Sequence, residues 1–533
     1  MTRPHILWIS LEDTSPRFGC YGDTLARTPH IDALAASGCR FPHAFATTGV
    51  CAPSRAAIIT GMYSTAIGTH HMRTTHPQQP TRFPPYSAVV PHYVRCFTEY
   101  LRAAGYYCTN NEKTDYQFAP PFTAWDECSR QAHWRNRRDP QQPFFAVFNP
   151  TVTHESGMWP KENERLQTDP DAVELPPYLP ATPVTRRTLA RHYDNLARAD
   201  EFVGEILAQL EADGLAQNTI VFLWSDHGEG LPRGKRWPYD RGLRVPLIVR
   251  WPGHITAGSV CDDLVSLIDL GPTVLSLTGV ANALHLQGRP FLGPQKTTPR
   301  EYIFATRDRH DEAYDMVRAV RDRRYKYIRH FRPDLPYLLW IPYRNRHPIM
   351  QEMWRLHLAG ELSGAQTLMF APRPPEELYD LENDPWEINN LAGDARYAAE
   401  LARLRAVLEG WRAEVGDMGE ISEEHMVHAW WPGGVQPQTA APLLIPITSD
   451  HYGQEPAGDF YDCHSPALVQ LHCGTQGASI GYTTETGEKA RWQLYTEPFR
   501  LPLGVTTVRA RAIRIGYAES IEARATFTVR ETP

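Results

Sequence analysis

Thr219-Ile220-Val221-Phe222-Leu223-Trp224 leads straight into Ser225-Asp226-His227-Gly228. A short run of β-branched, apolar and aromatic residues that ends in polar turn residues reads as a strand buried on both faces. The same pattern recurs to either side. Ile6 to Ser10 reads as a strand, and Leu11-Glu12-Asp13 follows it. Phe144-Phe-Ala-Val-Phe148 and Pro246 to Trp251 read the same way. Helix-like stretches lie between them: Ile31 to Ser37 starts one, and Tyr193 to Leu210 has helical spacing and runs to Gly214. Strands alternating with helices predict an α/β fold with a mostly parallel sheet. In such sheets the chemistry sits at the carboxyl ends of the strands.

The chain has 533 residues, which predicts two or three domains. A composition of 42% hydrophobic and 22% charged residues excludes a largely disordered chain. A net charge of −7 argues against a nucleic-acid partner. No apolar run approaches the roughly 20 residues that span a bilayer, so no membrane partner is expected. The 46 prolines and 14 tryptophans point to ordered loops and a lined cleft. The nine cysteines are scattered with no CxxC pair, as neither a zinc cluster nor a disulfide framework would be. The run His5 to Ser10 is too short for a signal peptide. The expected location is cytoplasmic, or exported if a signal peptide has been removed. Oligomeric state is left open, homo-oligomers included.

The expected boundaries are a catalytic α/β domain over 1–305, an α+β subdomain over 306–432 and a β-sandwich over 440–533. Val317 to Arg321 and Tyr325 to Ile328 read as hairpin strands, and Ala398 to Val415 as an amphipathic helix. The Pro/Gly/Gln-rich stretch from Trp431 to Pro442 reads as a linker. Beyond it, Leu468–His472, Ser479–Tyr482, Thr506–Ala512 and Ala523–Val529 are short strands separated by turns.

The strongest chemical signal is Cys51-Ala52-Pro53-Ser54-Arg55, followed after four intervening residues by Thr60-Gly61. Two acidic clusters, Glu12-Asp13 and Asp226-His227, each follow a strand and meet only if both strand ends face one cleft. On these residues the chain resembles the type I sulfatases, whose signature is C-x-P-S-R-x-x-x-x-T-G. The resemblance implies an alkaline-phosphatase-like α/β fold and hydrolysis of sulfate from a sulfated carbohydrate, as an O- or N-sulfate. It implies that Cys51 is oxidised to formylglycine by a formylglycine-generating enzyme, and that the hydrated aldehyde attacks sulfur. Arg55 is then the residue that stabilises the diol. Glu12, Asp13, Cys51, Asp226 and His227 are the implied metal site, with calcium expected and magnesium or manganese as alternatives. Glu12 stands where many members carry Asp, and His227 where several carry Asn.

Lys113 matches a sulfate-binding lysine of the family, whereas Asp115 occupies a position where a histidine base is usual. Asp115, His70 and His71 are the alternatives for that base. His154, in Val152-Thr153-His154-Glu155, is the implied general acid. Lys235, in Gly234-Lys235-Arg236-Trp237, matches a second lysine, though Arg233 and Arg236 are equally near in sequence. His71 and Arg73 in Gly68-Thr69-His70-His71-Met72-Arg73 are expected at the substrate. Ordered matches continue through Thr28-Pro29-His30-Ile31-Asp32, Arg244-Val245-Pro246 and Glu377-Leu378-Tyr379-Asp380. Several pieces resemble heparan N-sulfatase-like bacterial enzymes, among them Lys113–Tyr116 and His133-Trp134-Arg135-Asn136-Arg137. The latter forms either a sugar-binding wall or a solvated basic loop. The tail resembles the C-terminal β-sandwich of chitobiase-type enzymes. The rival expectations are a phosphodiesterase or phosphonate monoester hydrolase on the same machinery, and a non-catalytic carbohydrate-binding protein.

Overall fold

A computed structural model describes residues 3–76, 84–161, 164–451, 458–487 and 490–532. Strand His5–Leu11 lies at the centre of an eight-stranded sheet among these residues, between Thr219–Ser225 and Phe144–Phe148. Tyr107–Asn111 follows outside Phe144–Phe148, and these four long strands run parallel. On the other side Leu247–Arg250 pairs antiparallel with Thr219–Ser225, so the sheet is mixed at that flank.

Alternation along the strands splits the core in two. Leu7, Ile9 and Leu11 face one layer with Leu189, Leu196, Val203 and Ile206. These come from a 30-residue helix, Pro183–Ala212, longer than the Tyr193–Leu210 period suggests. Its start is set by Thr182, whose side chain accepts from the Thr185 N–H, and by Pro183 at the first helical position. Ile6 and Trp8 face the opposite layer, with Phe97, Ile58, Leu270 and Val274. Both faces of the parallel strands are therefore covered, as an all-apolar strand requires.

The second unit is a four-stranded antiparallel sheet of Ile303–Arg307, Val317–Arg321, Tyr325–His330 and Glu376–Asp380. Leu404, Leu408 and Trp411 of helix Ala398–Val415 pack onto its Val320, Tyr327 and Leu378. The tail forms a three-stranded and a five-stranded sheet around Val469, Leu471, Val508 and Phe527. One of its pairs, Phe460–His464 with Ala523–Arg530, is parallel. The expected linker is pinned rather than loose: Thr439 N–H donates to the Ala518 carbonyl at 2.9 Å, and Ala518 N–H to the Pro437 carbonyl at 2.8 Å. No helix among the described residues is long and apolar enough to cross a membrane.

Candidate active site

Strand register brings the distant motifs together. Leu11 is the partner of Ser225, Ile9 of Phe148, and Phe148 of Asn111. Glu12-Asp13, Asp226-His227, Asn149 and Glu112-Lys113 therefore leave the sheet at one edge. Cys51 opens helix Cys51–Thr60, every residue of which is buried. Ser54 Oγ donates to the Asp226 carbonyl at 2.6 Å, tying this helix to the strand end. The helix ends at Gly61, whose φ of 65° lies in the left-handed region that glycine enters without penalty. The nucleophile candidate thus sits at a helix N-terminus, where partial positive charge favours an anion.

Asp13, Cys51, Asp226 and His227 converge. Cys51 Sγ lies 3.3 Å from His227 Nε2 and 3.9 Å from Asp13 Oδ1. His227 Nε2 lies 3.0 Å from Asp13 Oδ1 and 3.8 Å from Asp226 Oδ1. The other ring nitrogen, Nδ1, is 2.9 Å from the Gly228 carbonyl, which can only accept. In the neutral ring the proton therefore sits on Nδ1, and Nε2 turns a bare lone pair toward carboxylate oxygens. A lone pair beside carboxylate oxygens is an arrangement that a cation completes, as the proton of a charged ring also does, so the donor set fits a divalent metal held by Asp13, Asp226 and His227 beside Cys51. Ligand-competent atoms of Cys51, Asp226 and His227 all lie within 4.8 Å of one another. Glu12 is placed differently from that trio. Its carboxylate meets Lys113 and lies 3.8 Å from Arg55.

Charge in this buried cluster is set by close pairs. Burial pushes the Asp226 carboxyl up, but His227 and Arg55 override it and hold it near 2. Arg55 Nε donates to Asp226 Oδ2 at 3.0 Å, and Nη1 to Asn149 Oδ1 at 3.0 Å. Burial raises the Asp13 carboxyl too, and Lys235 and His227 bring it well below the usual range. Lys235 Nζ donates to Asp13 Oδ2 at 2.7 Å and is 3.3 Å from His154 Nε2. The Cys51 thiol is pushed well up by burial, with Asp226 and Asp13 acting in the same direction against Lys235. A neutral thiol is a poor nucleophile.

His154 is held by its own turn: its Nδ1 accepts from the Ser156 N–H at 3.3 Å and lies 2.8 Å from Ser156 Oγ. Burial and then Lys235 lower its pKa to about 4. In the neutral ring Nε2 thus carries the proton, and Nε2–H and the Lys235 ammonium are two donors aimed at one place. An anionic oxygen satisfies both. The ambiguity among the neighbouring cations is resolved by geometry. Arg236 is locked to Glu155 by two hydrogen bonds of 3.0 and 2.8 Å, leaving Lys235 to face the cluster. Gly230 is required here because a Cβ would come within 2.9 Å of Asp13 Oδ2.

The two residues expected at the substrate separate. His71 is buried against His70 and Tyr314, with no hydrogen bond to the Cys51 cluster among those described. Arg73 is partly open. Its Nε lies 3.2 Å from Asp311 Oδ1, and its guanidinium is 4.8 Å from the Tyr343 ring, which neighbours His154. Asp13, Arg73, Arg236 and Asp311 all have positive φ, between 46° and 77°. Such backbone strain gathers where the surroundings fix a functional geometry. Asp311, Tyr343 and Asn149 were not singled out in the sequence. Asn149 alone carried a signal, since it directly follows a buried strand.

Trp134 corrects the sugar-wall alternative. Its side chain is fully buried, stacked 5.7 Å from Phe144 and edge-on 5.5 Å from Phe148. Its Nε1–H donates to Asp213 Oδ2 at 2.7 Å, and Arg135 pairs with the same carboxylate. The segment is a core plug with a paired rim. Asp115 is 3.4 Å from Lys113 and largely exposed, which keeps it at the mouth.

The family model described as Sulfatase matches residues 4–280, and the one described as N-sulphoglucosamine sulphohydrolase, C-terminal, matches 228–340. An ulvan-active sulfatase of Formosa agariphila is 42% identical, over 97% of this chain and 90% of that protein. The N-sulphoglucosamine sulphohydrolase of Homo sapiens is 27% identical, over 83% and 95%. The solved structure of a 2-O GAG sulfatase superposes with a TM-score of 0.59 at 21% identity, covering 78% of this chain and 93% of that one. The last similarity speaks to fold.

Proposed function

The chain belongs to the sulfatase family, and from that premise we propose that it removes sulfate from a sulfated carbohydrate at the Cys51 site. The observation that carries this reading is the convergence of Cys51, Asp13, Asp226 and His227, ringed by Arg55, Lys113, Lys235 and His154. The similarity to an ulvan-active sulfatase across nearly the whole chain supports a sulfated polysaccharide fragment as substrate.

Formylglycine made from Cys51 by a formylglycine-generating enzyme would supply the nucleophilic hydroxyl, and a bound divalent cation, calcium first, would supply Lewis-acid withdrawal of charge from the sulfate. The chain's own residues do the rest. Asp13, Asp226 and His227 would hold the cation, and Arg55 fixes the Asp226 carboxylate. Lys113 and Lys235 would neutralise charge that builds on the sulfate oxygens. The His154–Lys235 donor pair takes the leaving oxygen. A bound anion offsets the Lys235 charge, so His154 gains a proton more readily in the complex. Ser156 Oγ, 2.8 Å from Nδ1, is placed to accept from the charged ring.

Sulfate release from a panel tests this reading, using protein co-produced with the converting enzyme and supplied with calcium. The panel holds ulvan fragments, N- and O-sulfated glucosamines, an aryl sulfate and matching phosphate esters. Release from sulfated sugars, lost in Cys51→Ala, is expected. Turnover of the phosphate esters alone would overturn it.

A further inference from the structure

A cavity of about 590 Å³ shares no residue with the Cys51 cluster. Ser15 and Pro16 line it, two and three residues after Asp13. Its remaining wall joins the α/β domain to the four-stranded antiparallel sheet, and it is lined by five arginines: Arg40, Arg241, Arg244, Arg321 and Arg323. The carboxylates lining it are Asp240 and Glu382. Asp240 is already taken by Arg321 and Lys326, and Glu382 leans toward Arg324 at 3.5 Å. Arg241 has Glu229 at 3.2 Å.

The other three arginines have no carboxylate within ion-pair distance among the described residues. Arg244 Nε donates to the Pro42 carbonyl at 2.9 Å, Arg323 to the Asp262 carbonyl, and Arg40 lies 5.1 Å from the Tyr21 ring. The excess of positive charge is felt inside the cavity. His43, on its wall, is pushed down to about 4 by burial and then by Arg244, Arg323 and Arg321. A concave wall of one sign focuses its field on an incoming anion. Guanidinium forks match the oxygens of such a group. Trp386 adds an apolar ring on the same wall, with Arg241 4.5 Å from its centroid. Arginines beside an aromatic plate suit a ligand with both sulfate groups and a flat C–H face, which is a sulfated pyranose.

We propose that this cavity is a second glycan site: it holds a sulfated sugar unit on Arg40, Arg244 and Arg323 with Trp386 beneath the ring, apart from the Cys51 site. The choice of a sulfated glycan rests on the function proposed above; the anion-binding character rests on the cavity alone. The site would hold a long substrate while a distant unit is hydrolysed.

The test uses full-length Cys51→Ala protein, so that binding is read without turnover, and dextran sulfate, unsulfated dextran and inorganic sulfate as probes. Adding Arg40→Gln and Arg323→Gln weakens dextran sulfate binding about tenfold, two charge-assisted contacts being lost. Arg323→Gln alone, at an exposed position, weakens it about threefold. Unsulfated dextran binds neither form. In the Cys51-containing enzyme the same pair of substitutions leaves aryl sulfate turnover unchanged, which also shows that the variant folds, and raises KM for a sulfated polysaccharide. Unchanged dextran sulfate affinity in both variants overturns the site. Competition by inorganic sulfate at equal sulfate concentration as strong as by dextran sulfate overturns the glycan and leaves a free-anion site. Loss of all sulfatase turnover with dextran sulfate binding intact would sink the proposed function and not the cavity.

Discussion

His227 Nε2 stands 3.3 Å from Cys51 Sγ, although 176 residues separate them in the chain. The contact exists because the strand before His227 and the strand before Asp13 end in register, and because Ser54 ties the Cys51 helix to the Asp226 carbonyl. It places the Cys51 side chain beside the atoms that fit a metal.

Chelation should therefore both stop turnover and lower stability. A cation that binds only the folded chain adds about 2.7 kcal/mol at a hundredfold excess over its Kd. Thermal unfolding after EDTA treatment, and after return of calcium, magnesium or manganese, is the check. The largest upward shift in Tm should come from the ion that restores sulfate release best. Equal Tm with and without every ion would contradict the assigned ligands.

Lys235 and Arg236 are adjacent, yet their substitutions should differ in kind. Lys235→Ala removes a donor aimed at the transferring group, and kcat should fall by about a hundredfold or more. Arg236→Ala removes both guanidinium hydrogen bonds from the buried Glu155 carboxylate, leaving Lys235 at 3.2 Å as its ion-pair partner among the described residues, and should cost about 3 kcal/mol of stability. Paired denaturant melts and kinetics on both variants separate the effects.

Trp134→Ala should destabilise by about 3–5 kcal/mol, as removal of a buried aromatic does. KM of the surviving folded protein should not move. A raised KM at unchanged stability would restore the sugar-wall reading.

Acid stability has an identifiable source at Asp417. Burial raises its carboxyl, but Arg318, at 2.7 and 2.8 Å, overrides that and holds it near 2. The folded value lies below the unfolded one of about 3.9, so the stabilisation is fully present above pH ~4 and is lost as pH falls toward 2. It amounts to about 2 kcal/mol. Asp417→Asn should flatten that limb of a stability-against-pH curve measured by urea melts.

Much of the site was readable because its residues follow buried strands. Glu12-Asp13 and Asp226-His227 come directly after apolar runs, and the parallel sheet delivers such ends to one edge, Asn149 with them. The Cys51 motif carried its own spacing. What stayed hidden depends on partners far along the chain. Trp134 sits in a polar stretch, and only its stacking on Phe144 and Phe148 and its bond to Asp213 make it core. Nothing local distinguishes Lys235 from Arg236; both meet Glu155, but Lys235 also reaches Asp13, more than 200 residues earlier. His71 and Arg73 look alike in sequence, but one packs on Tyr314 and the other reaches Asp311 and Tyr343.

The central claim is that turnover runs through a converted Cys51. The most direct measurement plots the rate of sulfate release against the fraction of Cys51 converted to formylglycine. That fraction is read by peptide mass spectrometry across preparations made with and without the converting enzyme. A straight line through the origin is predicted. Turnover that persists in unconverted protein, or converted protein that releases sulfate from none of the panel, would contradict it.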